Sequence, residues 1–357
     1  YPIVYAMAEL GVIFLLFTVG LETKVNDLMK SGKAAFFCAL MGVIVPFILG
    51  FALIMGTEGN MNHALFLAAA MVATSVGITA RIIKDLKLMD TREARIIIAA
   101  AVIDDVLGMI VLAVVKGMAE SGELSIMNVA SITLQAVVFV LVVIAICKWV
   151  IPRIYDYFED RKKAKEAAGK VPFSTNKLVL AIIVCLAMAA LAEFIGLAAI
   201  IGAFLAGMMF ADHAWEWDLE SKIDSISTFL LSFFFLNVGL QVDIGTLGDT
   251  SVLILVVVVI VLAIISKLVG CSLGAKMGDR SLDSGSLKII GFGMAPRGEV
   301  GIIVAAIGLA SGAMSQDLYA VVVLMSVITT IIAPPIISKL FRQKYHEEYK
   351  ILPEDQI

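Results

Sequence analysis

Eleven stretches of this sequence are apolar enough and long enough to cross a lipid bilayer as α-helices. Hydrophobic residues make up 61% of the 357 positions and charged residues 16%. A soluble core of this size has no room for so much apolar surface. The sequence therefore predicts an all-α polytopic membrane protein. Its candidate spans are residues 3–21, 34–55, 62–80, 94–115, 128–151, 177–194, 196–211, 226–242, 251–275, 289–310 and 318–338.

The basic residues predict which ends of these spans face the cytoplasm. Of the 27 lysines and arginines, all but three lie in alternate connections between the predicted spans. The exceptions are Lys116 on the opposite side, and Lys267 and Arg297 within spans. Lys and Arg concentrate in the cytoplasmic loops of membrane proteins. We therefore expect residue 1 outside the cell, the C-terminus in the cytoplasm, and contact between the basic loops and anionic lipid of the plasma membrane.

Two parts of the chain resemble each other at an offset of 219 residues. The segment FLLFTVGLETKVNDL at 14–28 aligns with FFFLNVGLQVDIGTL at 233–247, with five identities in fifteen positions. In the predicted topology the two copies cross the membrane in opposite directions, and inverted repeats are typical of secondary transporters. The same offset aligns VATSVGITA (72–80) with GFGMAPRGE (291–299). Because both segments are rich in residues that interrupt helices, we expect two crossed, broken helices at mid-membrane.

Asp104 and Asp105 lie side by side at the centre of the apolar span 94–115. A charged Asp at the centre of a membrane helix costs about 2.5 to 3.5 kcal/mol, and such residues mark paths for ions or protons. Successive helical positions point about 100° apart, so the two carboxylates cannot share one environment. We expect one of them to face an aqueous cavity and the other a protein partner. The repeat places Val323 and Leu324 at the corresponding positions, so the acids break its symmetry.

Three further charged residues fall within predicted spans. Lys267 needs a carboxylate neighbour or a lowered pKa, and either Asp104 or Asp105 would supply that neighbour. The alternative is a side chain that extends toward the cytoplasmic surface. Arg297 and Glu299 lie at the predicted interruption of the span 289–310. They either form a local pair that compensates the helix ends or take a direct part in ion binding.

The four cysteines, Cys38, Cys147, Cys185 and Cys271, all lie in apolar segments. Their spacing is not typical of a disulfide framework or a metal site. We therefore interpret them as small hydrophobic residues, and no redox role follows.

Four motifs together resemble the NapA-type bacterial sodium/proton antiporters, the branch of the cation:proton antiporter superfamily with an Asp-Asp motif. The resemblance covers nearly the whole chain and implies that Asp105 is the main carboxylate for both the cation and the proton. Asp104 would pair with Lys267. Thr74 and Ser75 would lie beside Asp105 as further ligands of the alkali cation. The motifs are VATSVGITAR (72–81), AAAVIDDVLGMIVLAVV (99–115), ISKLVG (265–270) and GFGMAPRGEVGIIVAAIGLA (291–310).

The resemblance also implies a homodimer, in which a six-helix core moves like an elevator against a dimerisation domain. The chain lacks the N-terminal helices that are usual in the family and begins without a methionine, so we expect a segment to precede it. The implied parts are a dimerisation domain at 1–33 and 177–243, a core at 34–116 and 244–340, a linker helix and cytoplasmic loop at 117–176, and a cytoplasmic tail at 341–357.

The expected function is exchange of Na⁺ or Li⁺ for H⁺, with a role in pH homeostasis. A carboxylate holds either a proton or a dehydrated alkali cation well, so one site visited from alternate sides exchanges the two. Oxygen ligands from Asp, Thr and Ser suit such hard cations. Family members with Asn in place of the first Asp resemble electroneutral exchangers, so Asp104 implies electrogenic exchange. We expect no catalytic residue, no cofactor, no nucleic-acid partner and no soluble enzyme substrate.

Two other functions deserve comparison. Kef-type potassium/proton antiporters share the implied fold, but they usually carry Gln where this chain has Asp104. An intramembrane aspartyl protease also needs two membrane aspartates. Those come from separate helices, whereas Asp104 and Asp105 are adjacent on one. The sequence therefore favours sodium/proton exchange over both.

Overall fold

A computed structural model of the protein describes residues 2–23, 32–89, 91–121, 126–145, 177–195, 197–242, 245 and 248–345. These residues contain thirteen α-helices and no β-strand. In chain order the helices are α1 (Pro2–Glu22), α2 (Lys33–Thr57), α3 (Met61–Val72), α4 (Val76–Asp85), α5 (Arg92–Ser121), α6 (Ile126–Ala145), α7 (Lys177–Phe194), α8 (Ala199–Phe210), α9 (Leu219–Gln241), α10 (Thr250–Gly278), α11 (Ser284–Gly293), α12 (Glu299–Ala310) and α13 (Gln316–Tyr345).

Seven of the described helices are long and apolar enough to cross a membrane, namely α1, α2, α5, α7, α9, α10 and α13. The shorter helices α3, α8 and α12 are also apolar. Many large hydrophobic side chains on these helices are exposed, as expected for surfaces that face lipid rather than water. The chain is a multi-pass membrane protein, which confirms the prediction from composition.

Several predicted helix ends are wrong. The span 94–115 is too short, because α5 continues from Arg92 to Ser121. Lys116 therefore lies inside this helix rather than in a loop, and its Nζ donates to the Leu197 carbonyl at 3.5 Å. Helix α13 likewise continues through Pro334 and Pro335 to Tyr345. Two predicted segments lie outside the described residues: the cytoplasmic loop at 146–176 and the end of the tail at 346–357.

The helices separate into two compact units. Unit 1 comprises Tyr1–Met29 and Lys116–Gln241, and unit 2 comprises Lys30–Val115 and Val242–Ile357. All the predicted ion-binding and charge-compensating residues belong to unit 2; they are Thr74, Ser75, Asp104, Asp105, Lys267, Arg297 and Glu299.

Unit 1 is held together by close contact between helix backbones. A Cβ atom added at Gly20 of α1 would lie 2.1 Å from the carbonyl oxygen of Phe204 in α8. One added at Gly207 of α8 would lie 2.2 Å from the carbonyl oxygen of Phe17. Small residues allow membrane helices to approach in this way, because lipid supplies no hydrophobic driving force for their association. Around this contact the aromatic rings of Phe17 and Phe210 meet edge to face, with centroids 6.3 Å apart.

Unit 2 is organised around the pair α2 and α10. Gly270, Gly274 and Gly278 recur every fourth residue on α10 and so share one face of that helix. A Cβ atom on any of them would collide with the backbone of α2, so the two helices touch directly along this face. The added Cβ would lie 2.6 Å from the Met41 carbonyl oxygen at Gly270, 2.0 Å from that of Phe37 at Gly274 and 2.4 Å from that of Lys33 at Gly278. Residue numbers rise along α10 as those of the contacted residues fall along α2, so the two helices are antiparallel.

The sequence repeat extends to the helices themselves. Helix α1, Pro2–Glu22, shifted by 219 positions falls on 221–241, and the observed α9 is Leu219–Gln241. The same shift carries α2 onto α10, the interrupted pair α3 and α4 onto α11 and α12, and α5 onto α13. The inverted-repeat transporter fold predicted from the sequence is thus confirmed. The pair α2 and α10 that organises unit 2 joins equivalent helices of the two repeats.

Candidate ion-binding site

The first interruption of a helix lies at residues 73–75. Helix α3 ends at Val72, α4 begins at Val76, and Ala73 between them has an extended ψ of 138°. The polar residues Thr74 and Ser75 occupy this break, and both are buried. The Thr74 hydroxyl has no hydrogen-bond partner within the described part of the chain. A buried hydroxyl without a partner costs about 1 to 3 kcal/mol, so Thr74 offers an oxygen atom to a ligand.

The second interruption lies at residues 294–298, between α11 and α12. It contains Pro296, which cannot donate a backbone hydrogen bond, and Gly298, whose helix propensity is low. Helix α13 supports this break. The backbone N–H of Arg297 donates to Thr329 Oγ1 at 3.2 Å, and the Thr330 hydroxyl donates to the Arg297 carbonyl. Backbone groups freed by the interruption are therefore satisfied by side chains of a neighbouring helix, as membrane burial requires.

The two interruptions contact each other. The backbone N–H of Ser75 donates to the Pro296 carbonyl at 2.9 Å. The Thr79 hydroxyl on α4 donates to the carbonyl of Gly293, the last residue of α11, at 2.8 Å. A Cβ atom at Gly298 would lie 2.4 Å from the Cβ of Ser75, so this close approach needs a glycine. Unit 2 therefore brings the two interruptions into direct contact, and the crossing of the broken helices at this point stays a prediction.

Asp104 and Lys267 form a buried ion pair between α5 and α10. Lys267 Nζ lies 2.8 Å from Asp104 Oδ1, and the two side chains are 0% and 1% exposed. Of the two neighbours open to Lys267 on sequence grounds, the structure uses Asp104. A buried carboxylate and a buried ammonium are each expensive alone, and their pairing offsets much of that cost.

Asp105 is the next residue on α5, and its burial is intermediate. The turn of about 100° between consecutive helical residues separates its environment from that of Asp104. The two acids therefore differ in exposure: the Asp104 side chain is enclosed with a cation, whereas Asp105 is partly exposed.

Gly42 on α2 completes the surroundings of the ion pair and has no counterpart among the sequence predictions. A Cβ atom there would lie 3.5 Å from Lys267 Nζ and 3.8 Å from Asp104 Oδ1. It would also lie 2.7 Å from the sulfur of Cys271. Cys271 and Cys38 are both fully buried, in the contact between α10 and α2. Spacing along the sequence could not reveal this pair, because the two cysteines come from different repeats.

Arg297 is fully buried at the second interruption. Its Nη2 donates to the Ala263 carbonyl at 3.0 Å and its Nη1 to the Met294 carbonyl at 3.4 Å, whereas Nε has no partner in the described residues. The local pair with Glu299 that the sequence suggested does not form within the described residues. The reason is that the guanidinium turns toward α10 and the end of α11. Glu299 instead lies in the first turn of α12, where the helix dipole favours a negative charge.

Comparison with known proteins identifies the family. The family model described as "Sodium/hydrogen exchanger, transmembrane" matches residues 2–343. The chain belongs to this family. The match spans both units of the exchanger and all the candidate site residues.

Individual relatives agree with this assignment. The exchanger is 36% identical over 353 residues to the "High-affinity Na(+)/H(+) antiporter NhaS3" of Synechocystis sp., covering 97% of this chain and 73% of the relative. It is 33% identical over 341 residues to the "Na(+)/H(+)-K(+) antiporter GerN" of Bacillus cereus, covering 95% of this chain and 83% of that one. The resemblance inferred from the four motifs is confirmed.

The fold of the exchanger matches a solved structure, that of "the sodium proton antiporter MjNhaP1 from Methanocaldococcus jannaschii at pH 8". The TM-score is 0.58, and the match covers 96% of this chain and 83% of the other. Sequence identity is only 15%, so this similarity concerns the fold alone.

The exchanger has a second polar cluster, at the start of α5, that sequence analysis did not find. Glu93 is buried and accepts hydrogen bonds from Lys344 Nζ at 2.7 Å and from the Tyr345 hydroxyl at 2.5 Å. Lys344 also lies 2.7 Å from Asp283, at the N-terminus of α11. Hydrogen bonds from Lys344 and Ser286 hold the pKa of Asp283 well below its usual range. These partners are far apart in sequence and form no local pattern. From the sequence alone, each is interpreted as an ordinary charged residue of a loop.

Proposed function

We propose that this chain is a secondary antiporter that exchanges Na⁺ or Li⁺ for H⁺ across the plasma membrane by alternating access. The observation that carries the proposal is the contrast between two adjacent acids. Asp104 is enclosed with Lys267, whereas Asp105 is half-buried. The names of two relatives, the Na⁺/H⁺ antiporter NhaS3 and the Na⁺/H⁺-K⁺ antiporter GerN, support the same function.

Asp105 performs the exchange in this proposal. Its carboxylate binds a dehydrated alkali cation when the site opens to the side where the cation is abundant, and a proton when it opens to the other side. Binding of one displaces the other, because a protonated carboxyl group is a poor ligand for a cation. Coupling then needs no enzyme chemistry and no cofactor. It needs only a carboxylate that faces each side in turn.

Thr74 and Ser75 supply further ligands for the cation. Their hydroxyl oxygens are the hard donors that Na⁺ and Li⁺ prefer. The Thr74 hydroxyl is buried without a partner in the described residues, so it has an unused lone pair for a cation. The ends of the interrupted helices add oriented backbone dipoles to the same region, as in other inverted-repeat transporters.

The charges around the interruptions keep this region stable while Asp105 changes its charge. Lys267 neutralises Asp104, Arg297 binds the carbonyl groups of Ala263 and Met294, and Glu299 complements the dipole of α12. In this proposal none of the three binds the transported cation. They compensate charges and helix ends that would otherwise destabilise a buried site.

We assign the two units different roles. Unit 2, which contains every candidate ion-binding residue, is the core that carries the cation across the membrane in an elevator-type movement. Unit 1 is the dimerisation domain of a homodimer, and α6 is the linker helix between the two. The C-terminus faces the cytoplasm, in agreement with the distribution of Lys and Arg.

Exchange measured in proteoliposomes tests the function. The purified protein is reconstituted, an inside-acid pH gradient is imposed, and dissipation of the gradient is followed with a pH-sensitive dye after addition of Na⁺, Li⁺ or K⁺. We expect Na⁺ and Li⁺ to collapse the gradient, and K⁺ to do so much less. Empty liposomes provide the control. Dissipation by K⁺ alone would favour a Kef-like potassium/proton antiporter, and dissipation by no cation would contradict antiport altogether.

A further inference from the structure

The thiols of Cys38 and Cys271 form a pair that the proposed ion exchange does not use. Cys38 lies on α2 and Cys271 on α10, and neither side chain has any exposed surface. A Cβ atom at Gly274, which lies three positions after Cys271 on α10, would lie 2.9 Å from the Cys38 Cα, so both cysteines lie in the contact between the two helices. Direct backbone contact at Gly270 and Gly274 fixes the two helices in this region and therefore restrains the distance between the sulfurs.

This pair adjoins the Asp104–Lys267 ion pair. Cys271 follows Lys267 by four residues, so the two lie one turn apart on the same face of α10. From α2, the space left by the missing side chain of Gly42 borders both the Cys271 sulfur and the Lys267 ammonium. A change in charge at the two sulfurs would therefore act directly on Lys267.

We propose that Cys38 and Cys271 form a binding site for a soft monovalent metal ion, Cu(I) or Ag(I). Thiolates select such ions over hard cations, and two sulfurs on opposing helices provide the two donors that a two-coordinate ion needs. The described residues contain no cluster of three or more side chains suited to an ion of higher coordination. On binding, each thiol releases its proton to water and forms one sulfur–metal bond. The resulting bis-thiolate complex carries one negative charge and competes with Asp104 for the Lys267 ammonium.

Metal binding at this site inhibits ion exchange. Lys267 would be shared between the bis-thiolate complex and Asp104, so the ion pair beside Asp105 would weaken. A monovalent soft cation also matches the charge of the transported ion. The inhibition rests on the proposed antiport function, whereas the binding itself does not.

Silver, which does not oxidise thiols, is a suitable probe. The parent protein for the test carries Cys147→Ala and Cys185→Ala, which leave only Cys38 and Cys271. The full chain is purified in detergent and chloride-free buffer, treated with silver nitrate and desalted. Bound silver is then counted by mass spectrometry, and X-ray absorption gives the number of sulfur neighbours. We expect one silver ion per chain with two sulfur neighbours.

Two further variants on this background, Cys38→Ala and Cys271→Ser, each remove one sulfur. We expect the affinity for silver to fall by roughly tenfold or more in each variant. Thermal unfolding is the control that shows which of the two variants is folded, and one folded variant is enough for the test. Silver should inhibit sodium/proton exchange by the parent protein and not by the variants. No silver retained by the parent, or equal retention by a folded single-cysteine variant, would overturn the proposal. Silver binding without any exchange activity would instead contradict the proposed function and leave the metal site intact.

Discussion

The Lys267 ammonium lies 2.8 Å from the Asp104 carboxylate, and both groups are almost completely buried. The two residues are 163 positions apart and come from helices α10 and α5, so their ion pair joins the two repeats. Such a pair is stable only while both members remain, because either charge alone in a low-dielectric interior is costly. Of the two adjacent acids, Asp105 is the one that we assign to ion exchange.

The first prediction concerns the energetic coupling of Lys267 and Asp104. Lys267→Met leaves a buried acid without its cation, and Asp104→Asn leaves a buried cation without its acid. We expect each to destabilise the protein by about 3 to 5 kcal/mol. The double variant should lose clearly less than the sum of the two. Thermal unfolding in detergent measures all four proteins, and strictly additive losses would contradict direct coupling.

The second prediction concerns Asp105. Asp105→Asn keeps the shape of the side chain but removes the exchangeable charge, so we expect Na⁺/H⁺ exchange to be abolished. Because Asp105 is only half-buried, expression, membrane insertion and thermal stability should stay close to wild type. Exchange in proteoliposomes and size-exclusion chromatography provide the two readouts. Turnover like that of the wild type would contradict the assignment of Asp105 as the exchanging acid.

Sequence patterns predict much of this fold for identifiable physical reasons. Membrane spans of about 20 apolar residues and interruptions rich in Gly, Pro, Ser and Thr are local signals, so the spans and both broken helices were predictable. The acids at 104 and 105 were visible because charge is rare at mid-membrane. Helix ends such as Ser121 and Tyr345 were not, because helices extend beyond the bilayer into polar sequence.

Contacts between distant segments were predictable only where charge demanded them. Lys267 needed an acid, so its pairing could be narrowed to two candidates. Gly42, Cys38 and Cys271 carry no charge that needs a partner, so the sequence does not indicate what they contact. Their positions follow from the packing of α2 on α10. For Arg297 the sequence left two alternatives open, and the local pair with Glu299 is not the one seen in the described residues, because backbone carbonyls freed at an interruption compete with a neighbouring carboxylate for the guanidinium.

The third prediction concerns the packing of α2 on α10, which positions Lys267. In Gly274→Ala the new methyl group would lie 2.0 Å from the backbone oxygen of Phe37, so the helices must separate. We expect a loss of about 1 to 3 kcal/mol in stability, together with slower exchange. Gly56→Ala on α2 is the matched control, because nothing lies within 4 Å of the added atom. It should be neutral or slightly stabilising. Equal effects of the two substitutions on the unfolding temperature would argue against this packing.

The fourth prediction concerns the pH dependence of the contact between Asp283 and Lys344. The pKa of Asp283 is depressed in the folded protein by its hydrogen bonds from Lys344 and Ser286. Its contribution to stability is therefore present above the ordinary pKa of Asp, about 3.9, and is lost as pH falls through the depressed value. Asp283→Asn keeps an N-cap for α11 but removes the charge. We expect it to lower stability at pH 7 by less than about 1 kcal/mol, because Asp283 is largely solvent-exposed.

The measurement for Asp283 is the unfolding temperature of wild type and variant at pH 7 and near pH 3. The difference between them should shrink at the lower pH, because the carboxyl group of the unfolded wild-type chain is protonated there while that of the folded protein is still ionised. Asp249→Asn at the N-cap of α10 is the comparison, because hydrogen bonds from Ser251 alone, without a lysine, lower the pKa of Asp249. Its difference from wild type should therefore change less with pH than that of Asp283→Asn. A difference for Asp283→Asn that does not change with pH would contradict a charge-based contact.

The last prediction is that exchange moves net charge. Two protons can be carried when Asp105 holds one and either Lys267 or Asp104 holds the second, and the return step carries one monovalent cation. One charge then crosses per cycle, which couples exchange to the membrane potential at about 2.3 kcal/mol per 100 mV. An inside-negative cell could therefore extrude sodium even where the pH gradient is small. We expect a potential imposed with valinomycin and K⁺ to change the Na⁺/H⁺ exchange rate in proteoliposomes, once K⁺ itself is shown not to be transported. If the sodium and proton gradients balance at one proton per sodium ion, exchange is electroneutral, and Asp104 and Lys267 serve stability rather than proton transfer.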